Sequence, residues 1–336
     1  MNKIDRKKIN TWFVTGASSG VGHELCEQLL RRGYNVIAIS RRTPIFRITG
    51  GGYSDKLLCI SCDVTSLSEI EETINAAIDR FGSIDVLSNN AGVSSNLFIE
   101  DESAEHVLKV MNTNFFGTFN TMKALIPRFR EQGYGTIINN TSQSGLTPRA
   151  TGCAYCSSKY AIEGLTGVAW IETQKFCRVL TLELGFFRGT EVTKHKTELD
   201  KKYLPSNSKG KLDVYKNLKP PHRRYKYDFY SDLKLGVKYL IDEIEKSEPQ
   251  RRLILGRDAV IKLTSEIESL KHDLKASRAR ALNVSKNLKY KRHRILRMVI
   301  KCLVDKKRYK KLKRDPGSFF SDSQSTIIKL LGKFYN

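Results

Sequence analysis

Short apolar runs alternate along the chain with amphipathic segments of helical length, from residue 11 to about residue 282. This alternation predicts an α/β fold, because each parallel strand needs a crossover segment that returns the chain to the same end of the sheet. Strands are predicted at 12–15, 35–40, 57–61, 84–88, 135–140, 177–182 and 253–255, and helices at 20–32, 66–81, 104–130, 154–174 and 232–246. Right-handed crossovers then give one doubly wound parallel sheet with helices on both faces.

Two segments depart from this alternation. Residues 194–230 contain three prolines and many lysines and tyrosines, and predict a long loop. Residues 258–282 predict a further helix, with apolar side chains at every third or fourth position from Val260 to Leu274. We therefore expect a domain of residues 1–282 that carries the loop, followed by a basic helical extension of residues 283–336.

The charge of the chain is concentrated in the loop and the extension. The 336 residues include 58 Lys and Arg against 35 Asp and Glu, a formal net charge of +23. Residues 281–336 hold 16 basic and 3 acidic residues, and residues 193–230 hold 11 and 4. The other 242 residues carry a net charge of only +3. Because nucleic-acid enzymes usually have a basic patch on their core, this distribution argues against that class.

Composition also indicates the compartment. No apolar run approaches the roughly 18 residues of a membrane span, so we expect neither a signal peptide nor an integral membrane protein. Seven cysteines, an odd number, favour a reducing cytoplasm over a disulfide framework.

The pairs Cys59/Cys62 and Cys153/Cys156 have the spacing of zinc ligands, but the first lies on a predicted strand, where residues three apart point to opposite faces. We expect buried, reduced cysteines and no metal site.

A glycine-rich turn connects the first predicted strand to the first helix. It reads Thr15-Gly16-Ala17-Ser18-Ser19-Gly20-Val21-Gly22. Glycines allow a tight turn and a close approach to a pyrophosphate, which the unpaired N–H groups of a helix N-terminus can bind. An ordinary loop is the alternative, but the order of strand, turn and helix favours a dinucleotide site.

The end of the second predicted strand indicates which dinucleotide is bound. An acidic residue there would bind the ribose 2′-OH of NAD, whereas an arginine suits the 2′-phosphate of NADP. The sequence is Ser40-Arg41-Arg42, without a carboxylate. We therefore expect NADP(H), with the two arginines beside the phosphate. Two solvated surface arginines are the alternative.

Tyr155 and Lys159 lie four residues apart in a predicted helix and therefore share one of its faces. A nearby ammonium favours the phenolate and lowers the pKa of the tyrosine, so that the phenol can act as a general acid or base. Ser142 precedes Tyr155 by thirteen residues and follows the strand 135–140. A Tyr-x-x-x-Lys spacing alone is usually a solvated helix face, but its combination with the glycine-rich turn is more specific.

Together these residues resemble the short-chain dehydrogenase/reductase family. The resemblance covers residues 11 to about 282. Its motifs are Thr15-Gly16-x-x-x-Gly20-x-Gly22, Asp63-Val64, Asn89-Asn90-Ala91-Gly92, Asn114-x-x-Gly117, Ser142, Tyr155-x-x-x-Lys159, and Gly185 followed by Thr190. The resemblance implies a Rossmann fold and transfer of hydride between NADP(H) and a carbonyl/alcohol pair.

By this resemblance, Tyr155 donates or accepts the proton and Ser142 hydrogen-bonds the substrate oxygen. Lys159 lowers the pKa of Tyr155 and holds the nicotinamide ribose, and Asn114 positions a water in the proton relay. The cofactor-binding residues, from the resemblance and the patterns above, are Thr15, Gly16, Ser18, Ser19, Gly20, Val21, Gly22, Ser40, Arg41, Arg42, Asp63, Val64, Asn90, Ala91, Gly92, Tyr155, Lys159, Gly185 and Thr190. One departure is Leu184, where the family has a proline of fixed φ.

The basic segments indicate substrate and partners. The loop 194–230 occupies the position of the family's substrate-binding loop, and its basic and aromatic residues suit an anionic substrate such as a phosphorylated or nucleotide-linked sugar or glycerol. A loop whose charges bind no ligand is the alternative. Residues 286–314 have a narrow apolar stripe among basic residues, typical of a helix that binds anionic lipid or an acidic protein. Two alternatives stay open for this segment. It can be a helix that packs on its own domain, or it can bind nucleic acid.

We interpret the chain as a cytoplasmic NADP(H)-dependent oxidoreductase of a small carbonyl or alcohol substrate, located at the inner face of a membrane if the tail binds lipid. Residues 312–323 faintly resemble terminal segments of bacterial capsule and surface-polysaccharide biosynthesis proteins. A lipid or 3-oxoacyl substrate is one alternative, and a non-catalytic interaction protein that acts through its tail is another. The presence of all four candidate catalytic residues, Asn114, Ser142, Tyr155 and Lys159, argues against a non-catalytic protein. The family often forms dimers or tetramers through its long helices, here 104–130 and 154–174.

Overall fold

Seven parallel strands form one sheet in the computed structural model, which describes residues 9–46, 53–187 and 230–286. The strands are β1 (Thr11–Thr15), β2 (Asn35–Ser40), β3 (Leu57–Ser61), β4 (Val86–Asn89), β5 (Thr136–Asn140), β6 (Arg178–Leu184) and β7 (Arg252–Leu255). Their order in the sheet is β3-β2-β1-β4-β5-β6-β7. The prediction of a doubly wound α/β sheet is confirmed.

The helices between and after these strands are α1 (Gly20–Arg31), α2 (Leu67–Phe81), α3 (Ala104–Met111), α4 (Gly117–Gln132), α5 (Cys153–Thr173), α6 (Leu233–Ile244) and α7 (Arg257–Lys286). A π-helical turn (Asn112–Phe116) joins α3 to α4, and a 3₁₀ turn (Gln143–Gly145) follows β5. The helix predicted over 104–130 is therefore present, but it contains a π-helical turn that was not predicted. The N–H of Gly117 bonds the carbonyl of Asn112, five residues earlier rather than four.

Alternate residues of each strand pack against two different helical layers. In β1, Trp12 and Val14 belong to the core shared with α1 and α6, whereas Phe13 belongs to the core shared with α2, α4 and α5. All five residues of β1 are buried. Burial on both faces explains why this strand is a continuous apolar run rather than an alternation of apolar and polar residues.

Helix α7 confirms the helix predicted over 258–282, but most of its apolar stripe does not face the core. Ala259 and Leu263 are buried, whereas Val260, Ile267 and Leu270 are half exposed or more. The sheet and its covering helices belong to a compact unit that ends at Leu270. The domain boundary at residue 282 stays a prediction.

Several predicted segments lie outside the described residues. They include nearly all of the loop 194–230, the basic tail beyond Lys286, and residues 312–323. In the part of the chain that is described, no helix is both long enough and apolar enough to cross a membrane.

The six described cysteines are free thiols. Cys26, Cys62, Cys156 and Cys177 are buried, and Cys59 and Cys153 are half-buried. Burial raises the pKa of Cys59 and of Cys62, which keeps both thiols protonated at neutral pH. Within the described ranges, no group of His, Cys, Asp and Glu could hold a metal ion.

Candidate active site

A cavity of about 600 Å³ opens at the carboxyl ends of the strands. It includes the point between β1 and β4 where the strand order reverses, which is where open α/β sheets bind their ligands. Predicted residues that line it are Gly16, Ser18, Ser19, Gly20, Val21, Gly22, Ser40, Arg41, Arg42, Asp63, Val64, Asn90, Ala91, Gly92, Ser142, Tyr155, Lys159 and Gly185. The fold therefore brings nearly all the predicted site residues to one cavity.

Two glycines give the glycine-rich turn its conformation. Gly16 has φ +66° and Gly20 has φ +58°, in the left-handed region that favours glycine. A Cβ on Gly16 would lie 2.8 Å from the backbone nitrogen of Ala91, whereas a Cβ on Gly20 would meet nothing within 4 Å. The first position allows close packing of the turn on the loop after β4, and the second leaves space beside the N-terminus of α1 for a phosphate.

Two predicted cofactor-binding residues, Thr15 and Asp63, hold loops through hydrogen bonds, and Asp63 also lines the cavity. The Thr15 hydroxyl oxygen accepts the N–H groups of Asn90 and Ala91, each at 2.9 Å, and so fixes the loop after β4 rather than lining the cavity. Thr190 lies outside the described residues. The carboxylate of Asp63 accepts from the backbone and the hydroxyl of Thr65, both at 2.9 Å, which holds the turn after β3.

The end of β2 exposes two arginines at the cavity. The hydroxyl of Ser61 donates to the carbonyl of Arg41 at 2.9 Å, and the hydroxyl of Ser40 donates to the carbonyl of Arg42. Both arginine side chains are exposed. The backbone at this position is thus fixed while the guanidinium groups stay free to reach a phosphate.

Ser142, Tyr155 and Lys159 meet at the opposite end of the cavity. Ser142 follows β5, and its hydroxyl accepts from the Ser144 N–H at 3.1 Å and donates to the Leu184 carbonyl at 3.4 Å. Tyr155 is buried on α5, and the Lys159 Nζ lies 5.7 Å from the centroid of its ring. The same Nζ donates to the carbonyl of Asn140 at 2.7 Å, at the end of β5.

Asn114 is fully buried in the π-helical turn and braces two parts of the site. Its Oδ1 accepts the Val93 N–H at 2.8 Å, and its Nδ2 donates to the Val93 carbonyl at 3.0 Å and to the Ser158 hydroxyl at 2.9 Å. Ser158 in turn donates to the Tyr155 carbonyl at 2.7 Å. The side chain therefore connects the loop after β4 to the helical turn that carries Tyr155. Its place in a proton relay stays a prediction.

Comparison with known proteins identifies the family. Residues 10–201 match the family model described as short chain dehydrogenase. This chain belongs to the short-chain dehydrogenase/reductase family. An uncharacterized oxidoreductase of Schizosaccharomyces pombe is 38% identical over 172 residues, which are 49% of this chain and 70% of the relative.

Two further comparisons support the same family. The NADPH-dependent pterin aldehyde reductase of Arabidopsis thaliana is 33% identical over 178 residues, 52% of this chain and 74% of that protein. The structure of a short-chain dehydrogenase from Streptomyces avermitilis matches with a TM-score of 0.72 at 28% identity, and covers 82% of this chain and 99% of that one. The resemblance noted in the sequence and the Rossmann fold are thus confirmed.

The electrostatics of Tyr155 in this short-chain dehydrogenase differ from the expectation. Burial raises the pKa of Tyr155 above its ordinary value, while a hydrogen bond with Ser142 and the positive charge of Arg149 act in the opposite direction. Burial also lowers the pKa of Lys159 to about 8, against a smaller opposing effect of Glu163. Burial thus dominates the pKa of Tyr155, and the lowering of that pKa by Lys159 stays a prediction.

Asp258, at the start of α7, supports the segment after β6 without lining the cavity, and the sequence did not reveal this role. It is buried, and its Oδ2 accepts from Gln143 Nε2 at 2.7 Å and from the Phe186 N–H at 3.0 Å. A Cβ on Gly185 would lie 2.1 Å from Asp258 Oδ1, so a larger residue there would displace the Asp258 side chain. Asp258 thus fixes the segment after Leu184, where this chain lacks the fixed φ of the family's proline.

The cavity also has lining residues that were not predicted. They are Cys62, Val93, Ser94, Lys109, Thr113, Asn140, Thr141, Leu184 and Phe187. Several of them, such as Val93 and Ser94, directly follow predicted motifs and could have been found by extending those motifs. Lys109 and Thr113 gave no such signal, because they lie on α3 and on the π-helical turn that follows it.

Proposed function

We propose that this short-chain dehydrogenase reduces a small carbonyl compound, or oxidises the matching alcohol, with NADP(H) as its cofactor. The convergence of Ser142, Tyr155 and Lys159 on the cavity that also contains the glycine-rich turn carries the proposal. The nicotinamide, when bound, supplies or accepts the hydride. The protein holds the substrate oxygen and moves its proton.

In reduction, Tyr155 would donate its phenolic proton to the carbonyl oxygen. Its raised pKa suits this role, because the phenol stays protonated at neutral pH. The Ser142 hydroxyl would donate a second hydrogen bond to the same oxygen in place of its long bond to the Leu184 carbonyl. Lys159 would hold the nicotinamide ribose and stabilise the phenolate that Tyr155 becomes.

The reduction rate should depend on the protonation of Lys159. With a pKa of about 8, Lys159 is charged below that pH and neutral above it, so kcat/KM should fall as the pH rises through about 8. NADPH oxidation measured between pH 6 and pH 10 checks this. In Lys159→Arg the charge persists, so the fall near pH 8 should disappear from the residual activity. An unchanged profile in that variant would contradict the assignment.

The choice of NADP(H) is supported by the two exposed arginines at the end of β2 and by the absence of a carboxylate there. The Arabidopsis relative is NADPH-dependent by name. Structures that share the fold contain either dinucleotide: one from Burkholderia cenocepacia, 22% identical with a TM-score of 0.58, has NADP, and one from Burkholderia phymatum, 19% identical with a TM-score of 0.63, has NAD.

Arg41→Ala should weaken the binding of NADPH far more than the binding of NADH. Loss of one charge-assisted contact to the 2′-phosphate should raise the KM for NADPH about tenfold and leave the KM for NADH nearly unchanged. Initial rates with each dinucleotide measure both values. Arg128→Ala, at an exposed arginine on α4, serves as the control. Equal losses for the two dinucleotides would reject the phosphate contact.

A substrate screen tests the proposal as a whole. We expect NADPH consumption, followed by absorbance, with at least one member of a panel of aldehydes, ketones, 3-oxoacyl compounds, and sugar and polyol phosphates. Activity with 3-oxoacyl compounds alone would favour the lipid alternative, and activity with sugar phosphates would favour a role in polysaccharide synthesis. A protein that binds NADPH but consumes it with no panel member would favour the non-catalytic alternative.

Assembly into a dimer or tetramer through the long helices is part of the same proposal. Apolar side chains on and next to α4 and α5 are exposed, including Phe116, Phe119, Val168 and Ile171. Burying them against a second copy would remove this apolar surface from water. Binding of the basic tail to anionic lipid or an acidic protein stays a prediction, since residues 287–314 lie outside the described residues.

A further inference from the structure

Arg149 places a second positive charge at the ring of Tyr155. Its guanidinium carbon lies over that ring, 5.7 Å from the centroid. The Nζ of Lys159 lies at the same distance from the same centroid. Both separations are within the range of about 6 Å in which a cation is attracted to an aromatic ring. Two cations therefore act on this tyrosine, although only Lys159 belongs to a motif of the family.

The position of Arg149 is fixed by the loop after β4. Its Nη2 group donates to the carbonyl of Ser95 at 2.9 Å. Ser95 is fully buried, and its hydroxyl donates to Oε1 of Glu102 at 2.5 Å. The other oxygen of this carboxylate lies 2.5 Å from Nδ1 of His106 on α3, and the two side chains are 2% and 0% exposed. A buried chain of contacts thus holds the guanidinium at the ring, so that little reorganisation is needed when charge develops there.

The charge of Arg149 acts on Tyr155 in the direction that carbonyl reduction needs. Loss of the phenolic proton leaves a negative charge on a buried side chain, where water solvates it poorly. Burial raises the pKa of Tyr155, whereas the positive charge of Arg149 lowers it. Lys159 loses its own charge as the pH rises through about 8, but a guanidinium stays charged. Arg149 therefore supplies a positive charge that the pH does not remove in this range.

We infer that Arg149 acts through Tyr155, as a second cation that stabilises the negative charge left on the tyrosine once its proton has moved to the substrate oxygen. In that step the O–H bond of Tyr155 breaks, its electron pair stays on the phenolic oxygen, and the proton completes the hydroxyl group of the alcohol. The ring then carries part of the negative charge, which strengthens its attraction for a cation over its face.

This inference rests on the proposed function, since it takes Tyr155 as the proton donor. Arg149 does not line the cavity, so its effect needs no contact with the substrate or with the nicotinamide. It is a positioning residue that acts on the charge of another side chain. Its role is therefore measurable on Tyr155 itself, in the absence of turnover.

The ionisation of the phenol at position 155 tests the inference directly. Tyr155 is replaced by 3,5-difluorotyrosine in the full chain, because the fluorine atoms lower the pKa of the phenol into a range in which the protein stays folded. The ¹⁹F resonance is then followed against pH. Arg149→Gln and Arg149→Met both remove the positive charge, and each should raise the midpoint by about one pH unit. The other charged or titratable groups at the ring, Cys156 and Lys159, are the same in all variants.

Two substitutions serve as controls. Arg149→Lys keeps the charge and should keep the midpoint close to that of the wild type. Arg251→Gln removes an arginine that lies over the Trp170 ring, 4.2 Å from its centroid, and should leave the midpoint unchanged. A merely structural role of Arg149 would lower the Tm and leave the midpoint where it is. An unchanged midpoint in both uncharged variants, or an equal rise in Arg149→Lys, would overturn the inference.

Turnover is measured separately, by NADPH oxidation with the carbonyl compounds of the substrate screen. Arg149→Gln should lower kcat about threefold to tenfold and leave the KM for NADPH unchanged, because Tyr155 becomes a weaker acid. If no carbonyl compound is reduced, the proposed function fails and the effect of Arg149 on Tyr155 stands. If Arg149→Gln reduces a carbonyl compound with wild-type kcat, the inference fails and the proposed function stands.

Discussion

Tyr155→Phe should lower kcat for carbonyl reduction by a factor of about 10² to 10⁴, the usual contribution of a positioned general acid. The variant keeps the ring, which is buried on α5 with the Lys159 Nζ at 5.7 Å from its centroid, and removes only the proton that the substrate oxygen needs. The affinity for NADPH should therefore change little. Steady-state turnover and a fluorescence titration of NADPH measure the two quantities independently.

Tyr160→Phe provides the matched control for this substitution. Tyr160 lies on the same helix, five residues later, but its side chain is exposed and does not line the cavity. We expect the control to have wild-type turnover. If Tyr155→Phe retained wild-type turnover as well, Tyr155 would not be the proton donor. If it lost NADPH binding together with turnover, the effect would be structural rather than chemical.

Gly16→Ala should be the most damaging small substitution in the cofactor site. A methyl group there would lie 2.8 to 2.9 Å from three backbone atoms of Asn90 and Ala91, and backbone cannot move aside as a flexible side chain can. The added side chain would also be strained at φ +66°. We expect NADPH affinity to fall at least about tenfold and the Tm to drop by several degrees.

Gly133→Ala separates the effect of backbone strain from the effect of the close contact with the loop after β4. Gly133 ends α4 with φ +75°, but a Cβ at this position would meet nothing within 4 Å, so the variant has only the backbone strain. It should lose some stability, about 1 kcal/mol or more, and should retain its affinity for NADPH. An equal loss of NADPH affinity in both variants would show that contact with the loop after β4 is not what Gly16 provides.

The sheet was predictable because its signals are local. Each strand is a short apolar run bounded by polar or glycine residues, and burial on both faces makes such runs continuous in the sequence. The π-helical turn was not predictable from the same patterns. It changes one hydrogen bond from four to five residues of separation and leaves composition and periodicity nearly unaltered.

The site was predictable where a motif carries it, as in the glycine-rich turn and the Tyr155/Lys159 pair. Asp258 had no such signal, because its partners Gln143 and Phe186 are 115 and 72 residues away in the chain. The pairings of β5 with β6 and of β6 with β7 bring them together. The raised pKa of Tyr155 was missed for a related reason. Helical spacing shows that a lysine is near, but the extent of burial depends on the whole fold.

The π-helical turn has a consequence for how α3 and α4 can vary. It adds one residue to the continuous helical segment formed by α3 and α4. Each residue of an α-helix is rotated by about 100° about the helix axis relative to the residue before it. Asn114 can thereby face Val93 and Ser158 while Met122 and Phe129, farther along, still pack on the sheet. A chain shorter by one residue here could keep the packing of α4 or the brace at the site, but not both. We therefore expect deletion of one residue from this helical segment to be more damaging than a substitution at one of its exposed positions.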